Sequence, residues 1–127
     1  MGIRLGAPTA AYVAPAIFEV GPDSRLSREE VFGPVLAVQT FDTEDEAVAL
    51  ANDSIYGLAA SIWSDSLSRA HLVADRLRAG TVSVNTVDAL DVTTPFGGFG
   101  QSGFGRDLSP HALDKFTALK TTWINYR

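Results

Sequence analysis

LAASIWSDSLSRAHLVADRLRAGTVSVN, residues 58–85, decides the fold class. It opens on LAASIWS, a strand-prone run, and closes on TVSVN (81–85), another. Between them Leu67, Ala70, Val73, Ala74 and Leu77 recur at helical spacing, with Ser66 placed as an N-cap and Gly80 as the stop. Strand, helix, strand in that order predicts a parallel unit whose helix covers the sheet.

The alternation extends upstream. PVLAVQTF (34–41) is strongly β-prone, with proline only at the first position, where a strand tolerates it. In TEDEAVALANDS (43–54), Thr43 and Glu46 form a capping box and three acids occupy the first turn. Ala47, Val48, Leu50 and Ala51 make one apolar face. The fold class is therefore α/β, a parallel β-α-β-α-β unit. Before it, YVAPAIFEV (12–20) reads as an extended segment broken by Pro15, and GPDSRLSREE (21–30) as a charged turn.

Downstream, residues 86–109 form a long loop rich in Gly, Thr and Pro. A loop of that length in a compact domain is functional or lacks a partner. Ser109-Pro110 then opens a short helix with Leu113, Phe116 and Leu119 on one face. The chain closes on KTTWINY (120–126), strand-like and apolar, which needs a sheet edge to join.

Composition narrows the classes. At 127 residues the chain is one domain, long enough to bury a core. With 46% hydrophobic and 20% charged residues it has the make-up of a soluble globular protein. The net charge is −5, and the ten Lys and Arg residues are scattered apart from Arg76 and Arg78. No basic stripe is available for phosphates, which argues against nucleic acid. No apolar run reaches membrane-spanning length, and MGIRLGAPTAAYVAP lacks the continuous apolar centre of a secretory signal, so a cytoplasmic location is expected. Cysteine is absent, which excludes disulfides, thiolate metal sites and a Cys nucleophile within these residues.

Four features could carry chemistry. GFGQSG (98–103) spells G-x-G-x-x-G, the pattern of a pyrophosphate-binding loop. Such a loop needs a strand feeding into it, a helix opening at once and an acid about 20 residues on. Here the strand ends near Asn85, the helix waits until Pro110, and Thr122, Trp123 and Ile124 stand where the acid belongs. Glu29-Glu30 is the second feature. Adjacent loop carboxylates are commonly just solvated, but one of them could accept two hydroxyls of a diol. His71 and His111 have no companions at ligand spacing, so no metal site is expected. Asp88 and Asp91 read as turn acids that could line a pocket, while Phe96, Phe99 and Phe104 would be costly if left exposed.

REEVFGPV (28–35), YGLAASIW (56–63), AGTVSVN (79–85), PFGGFGQSGFGR (95–106) and HALDKFTALKTTW (111–123) together resemble the aldehyde dehydrogenase superfamily, in order, over residues 12 to 127. The resemblance implies a C-terminal portion of the catalytic domain, covering 1–127, with 120–126 as an oligomerisation strand in dimers or tetramers. In that family a Cys thiolate attacks the aldehyde, hydride passes to NAD(P)+, and the thioester is hydrolysed. The nucleophile, the general base and the dinucleotide-binding domain belong to segments not matched here. By the same resemblance Glu30 bonds the nicotinamide ribose hydroxyls and Phe32 lies beside the nicotinamide ring. Asp88, Leu90 and Phe96 line the aldehyde tunnel, and Asn85 is structural. Where many members carry Tyr-Lys after PFGG, this chain has Phe99-Gly100, which creates the literal G-x-G-x-x-G. The stretch GRDLSPHALDKFTALKTTWI looks most like the aminoaldehyde branch, and Asp88 and Asp91 would suit a cationic substrate tail. The expected cofactor is NAD or NADP, and the expected substrate a small aldehyde. The other possibility is a non-catalytic interaction module derived from the same family.

Overall fold

A computed structural model describes residues 12–87 and 89–127. The chain divides into two compact units, one running to Leu50 and the other from Ala51.

In the first unit β1 (Ala16–Glu19) begins directly after Pro15 and pairs in parallel with β2 (Val35–Val38), from Ala16 opposite Val35 to Glu19 opposite Val38. The ladder continues at both ends, from the Ala16 N–H to the Pro34 carbonyl and from the Val20 N–H to the Val38 carbonyl, each 2.9 Å. Parallel strands need a crossover. It contains a single helical turn, α1 (Arg25–Arg28), capped by Ser24, whose Oγ accepts the Leu26 N–H at 3.3 Å.

The capping box at the start of α2 (Glu44–Asn52) forms in modified shape. Thr43 Oγ1 accepts the Glu46 N–H at 3.2 Å, while the Glu46 carboxylate reaches back to the Asp42 N–H at 2.9 Å, one residue beyond the cap. Val48 is the buried residue of this helix.

The second unit holds the strand–helix–strand expected from residues 58–85. β3 (Ala59–Ile62) and β4 (Thr81–Val84) pair in parallel, with Ala59 opposite Thr81 and Ile62 opposite Val84, and α3 (Leu67–Arg76) connects them. Ser66 caps α3 through its Oγ, 3.3 Å from the Arg69 N–H, and Ala70 is buried. The helix ends at Arg76 with Leu77 as its cap, so Gly80 is not the stop; close backbone packing requires it instead. The side chain of Asn52 holds this exit, donating to the Arg76 carbonyl and accepting the Arg78 N–H, both at 2.8 Å. The parallel strands thus form two pairs, β1–β2 and β3–β4, one in each unit.

The region after β4 differs from expectation in its loop. Residues 86–109 are not structureless: Phe96 and Asp107 exchange backbone hydrogen bonds of 2.8 and 2.7 Å, and Gly100–Ser102 forms a 3₁₀ turn. The short helix expected after Ser109 is present as a 3₁₀ helix, Pro110–Lys115; of its expected apolar face Leu113 lies within it, Phe116 caps it and Leu119 lies beyond. Residues 117–127 form no strand within this chain. Val48 and Ala70 are the only buried hydrophobic residues among the described residues, while Leu119 and Trp123 stand in solvent.

Candidate functional site

The loop EEVFGPV leaves α1 and enters β2, and the structure separates its two carboxylates. Arg25 takes Glu29 with both arms of its guanidinium, Nε to Oε1 at 3.1 Å and Nη2 to Oε2 at 2.7 Å. The hydrogen bond and then the charge of Arg25 hold the Glu29 carboxyl below its ordinary range, and Arg25 is raised by the same contact. Glu30 is exposed and has no hydrogen-bond or ion-pair partner among the described residues. Of the two candidates, Glu30 keeps its full acceptor capacity, while Arg25 takes part of that of Glu29.

Two residues on, Phe32 adopts φ +50° and is 93% exposed. A bulky side chain rarely enters that left-handed region, and such strain gathers at ligand clamps. Its ring stands open to solvent.

In the second unit three of the sequence motifs meet. The Gly57 carbonyl accepts the N–H groups of Gly80 and Phe99, each at 3.0 Å, and the Gly57 N–H donates to Ser102 Oγ, also at 3.0 Å. The Gln101 N–H donates to the Ile55 carbonyl at 2.8 Å. So YG (56–57), AG (79–80) and PFGGFGQS (95–102) form one backbone knot. A Cβ on Gly80 would fall on the Gly97 carbonyl oxygen. At Gly100, φ is +59° and a side chain would press on the Ile55 carbonyl, a geometry that glycine meets without strain. GFGQSG therefore spends its amides and glycines on packing, with a three-residue 3₁₀ turn and no helix behind it to hold a pyrophosphate.

The substrate-side candidates lie in the 86–109 segment of the same unit. Phe96 is half-buried and fixed by its backbone pairing with Asp107. Leu90 is half exposed. Asp88 lies outside the described residues. Asp91 folds back on its own turn: one oxygen accepts the Thr93 N–H at 2.8 Å and the Thr93 hydroxyl at 2.5 Å, and the hydroxyl and then the amide pull its carboxyl below the usual range. The Arg106 guanidinium sits 5.1 Å from the Phe99 ring centroid and donates to the Gly98 and Gly105 carbonyls at 3.1 and 2.7 Å. Phe104 is fully exposed. Among the described residues no group of His, Asp and Glu is arranged to hold a metal ion; His111 instead meets Asp114 at 3.4 Å.

Sequence reasoning missed the Arg25–Glu29 pair and Ser102. The first was visible as an i, i+4 spacing in SRLSREE; the second depends on chain crossings that no local pattern encodes.

Comparison with known proteins matches these residues to one family. The profile of the aldehyde dehydrogenase family matches residues 2–122. The NADP/NAD-dependent aldehyde dehydrogenase PuuC of Escherichia coli K12 is 57% identical over 117 residues, 91% of this chain and 24% of the relative. Aminoacetaldehyde dehydrogenase of Pseudomonas aeruginosa is 50% identical over 129 residues, 98% of this chain and 26% of the relative. Among solved structures, the indole-3-acetaldehyde dehydrogenase AldA of P. syringae, a mutant form in complex with NAD+ and IAA, superposes with a TM-score of 0.85 at 59% identity, over 91% of this chain and 23% of its own. The γ-glutamyl-γ-aminobutyraldehyde dehydrogenase of Burkholderia cenocepacia J2315 gives 0.85 at 54% identity, over 95% and 26%. The chain thus spans about a quarter of the length of the relatives it matches. With its sequence motifs meeting in one knot and a free carboxylate in EEVFGPV, the chain belongs to the aldehyde dehydrogenase family.

Proposed function

We propose that this segment serves an NAD(P)-dependent aldehyde dehydrogenase as the C-terminal part of its catalytic domain, supplying one cofactor carboxylate and one wall of the aldehyde tunnel. The observation that carries it is the division of labour at Glu29-Glu30: one carboxylate is tied to Arg25, the other is free. The residues fit the cofactor. Glu30 has two open oxygens for the two hydroxyls of a ribose, and Phe32 has an open ring face for the nicotinamide. When bound, the nicotinamide supplies the hydride acceptor. Glu30 orients the ribose, Phe32 limits the ring's tilt, and Leu90, Phe96 and Asp88 shape the passage for the aldehyde. Without cysteine the 127 residues have no thiolate to attack that aldehyde.

Among substrates, aminoaldehydes are favoured by the relatives named for them and by acids near the tunnel. Asp91 contributes less than its charge promises, since Thr93 occupies one of its oxygens. An enzyme that kept its aminoaldehyde preference after Asp88→Asn and Asp91→Asn would refute the acidic rim. On this reading the whole enzyme works in the cytoplasm as a dimer or tetramer.

The purified 127-residue chain should show neither aldehyde oxidation nor calorimetric NAD+ binding. A chimera in which residues 12–127 replace the matching segment of the E. coli relative should show both. Turnover by the chain alone would overturn the proposal.

A second reading is favoured by the terminal apolar residues: Phe116, Leu119, Trp123 and Tyr126 are all more than four-fifths exposed. On that reading the chain docks onto intact family subunits as a non-catalytic module through its last segment. Size exclusion of the chain mixed with the intact E. coli relative tests it, and the absence of a co-migrating species counts against it.

A further inference from the structure

We propose that Arg25 is a positioning residue for cofactor binding: by engaging both oxygens of Glu29, it leaves Glu30 as the carboxylate of the loop whose full acceptor capacity is open to the ribose diol. This rests on the ribose role given to Glu30 above.

Arg25 and Glu29 are joined three times. Besides the two side-chain bonds, the Glu29 N–H donates to the Arg25 carbonyl at 2.8 Å as the cap of α1. The main-chain bond sets where the chain leaves the helical turn, and the guanidinium fork sets where the Glu29 carboxylate points. Glu30 follows immediately, so both constraints act on the residue that orients the ligand. Arg28, the other cation of the turn, meets Asp23 at 3.7 Å instead.

Charge makes the pair matter more than its exposed position would. NAD(P)+ carries an anionic pyrophosphate, and two adjacent free carboxylates would oppose it and compete for the same hydroxyls. With the Glu29 charge offset by Arg25, the loop offers one carboxylate free of a competing cation. The effect is on affinity and orientation, since Arg25 contacts no reacting atom.

The chimera tests this by titrating NADH fluorescence. Arg25→Gln should weaken NADH binding roughly two- to fivefold, the range an exposed ion pair supports. Arg25→Lys, which keeps the charge and loses the fork, should fall between it and the parent. Adding Glu29→Gln to Arg25→Gln should restore the parent affinity, which a purely structural loss would not allow. If Arg25→Gln leaves the affinity unchanged while Glu30→Gln weakens it, the role of Arg25 is refuted and that of Glu30 stands. If Glu30→Gln has no effect, the underlying reading falls. Should the chimera fail to fold, the NMR titration of the Glu29 carboxyl in the 127-residue chain decides. It should move up toward the ordinary glutamate value in Arg25→Gln, and an unmoved titration overturns the pair.

Discussion

Asn85 grips the backbone of Ser64 from both sides: its Oδ1 accepts the Ser64 N–H and its Nδ2 donates to the Ser64 carbonyl, each at 2.9 Å. The amide continues the β3–β4 ladder by one rung, made by a side chain where the strand has already turned away at φ +54°. Asparagine suits both demands, because it tolerates the left-handed region and carries a donor and an acceptor. This gives physical content to its structural role.

Replacing Asn85 should therefore separate the two contributions. Asn85→Ala loses both hydrogen bonds and leaves a Cβ in the left-handed region, at a cost of about 2 kcal/mol. Asn85→Gly loses only the bonds and should be about 1 kcal/mol less harmful. Urea unfolding measures the order, and amide exchange at Ser64 should accelerate in both variants. Equal unfolding midpoints for the two would show that the backbone conformation is not under strain.

The knot around Gly57 gives a steric prediction. Gly80→Ala places a methyl group on the Gly97 carbonyl oxygen, backbone against backbone, and should destabilise the chain by about 1–3 kcal/mol, as overpacking does. Gly21→Ala meets nothing within 4 Å. It should be neutral or stabilising by up to about 1 kcal/mol. Thermal unfolding of the pair distinguishes a required close approach from a general intolerance of change at glycine.

The Asp91 turn gives a pH prediction. Its folded carboxyl titrates below its ordinary value because the Thr93 hydroxyl and amide bond the charged form. A depressed folded value means that the stabilisation is present above the ordinary aspartate range near pH 3.9 and is lost as pH falls through the lower folded value. Thr93→Val removes the hydroxyl and keeps the amide, so Asp91 should titrate part of the way back toward normal. Exchange at the Thr93 amide should differ between parent and variant at neutral pH and converge in acid. NMR across that range checks both. Convergence at neutral pH instead would remove the hydroxyl from the account.

What the sequence made legible follows from how each feature is encoded. The β3–α3–β4 unit shows plainly, because Leu67, Ala70, Val73, Ala74 and Leu77 carry a helical period between two strand-prone runs. The capping box before α2 shows for the same local reason, although Glu46 reaches one residue further than the pattern implies. Gly80 misleads: beside a helix end it looks like a stop, yet contact with Gly97, seventeen residues on, requires it. Ser102 and Gly57 lie forty-five residues apart, so their hydrogen bond has no local trace. At the site, family resemblance chose Glu30 over Glu29. The structure shows what separates the two carboxylates, since the partner of Glu29 is four residues back on α1.

The central claim is that Glu30 is the carboxylate this segment gives to the cofactor, and NADH affinity in the chimera tests it most directly. Charge-assisted hydrogen bonds lost in Glu30→Gln should weaken binding on the order of ten- to a hundredfold. Glu19→Gln, a glutamate on β1, should leave it unchanged. Equal NADH affinity in the parent and in Glu30→Gln would contradict the claim.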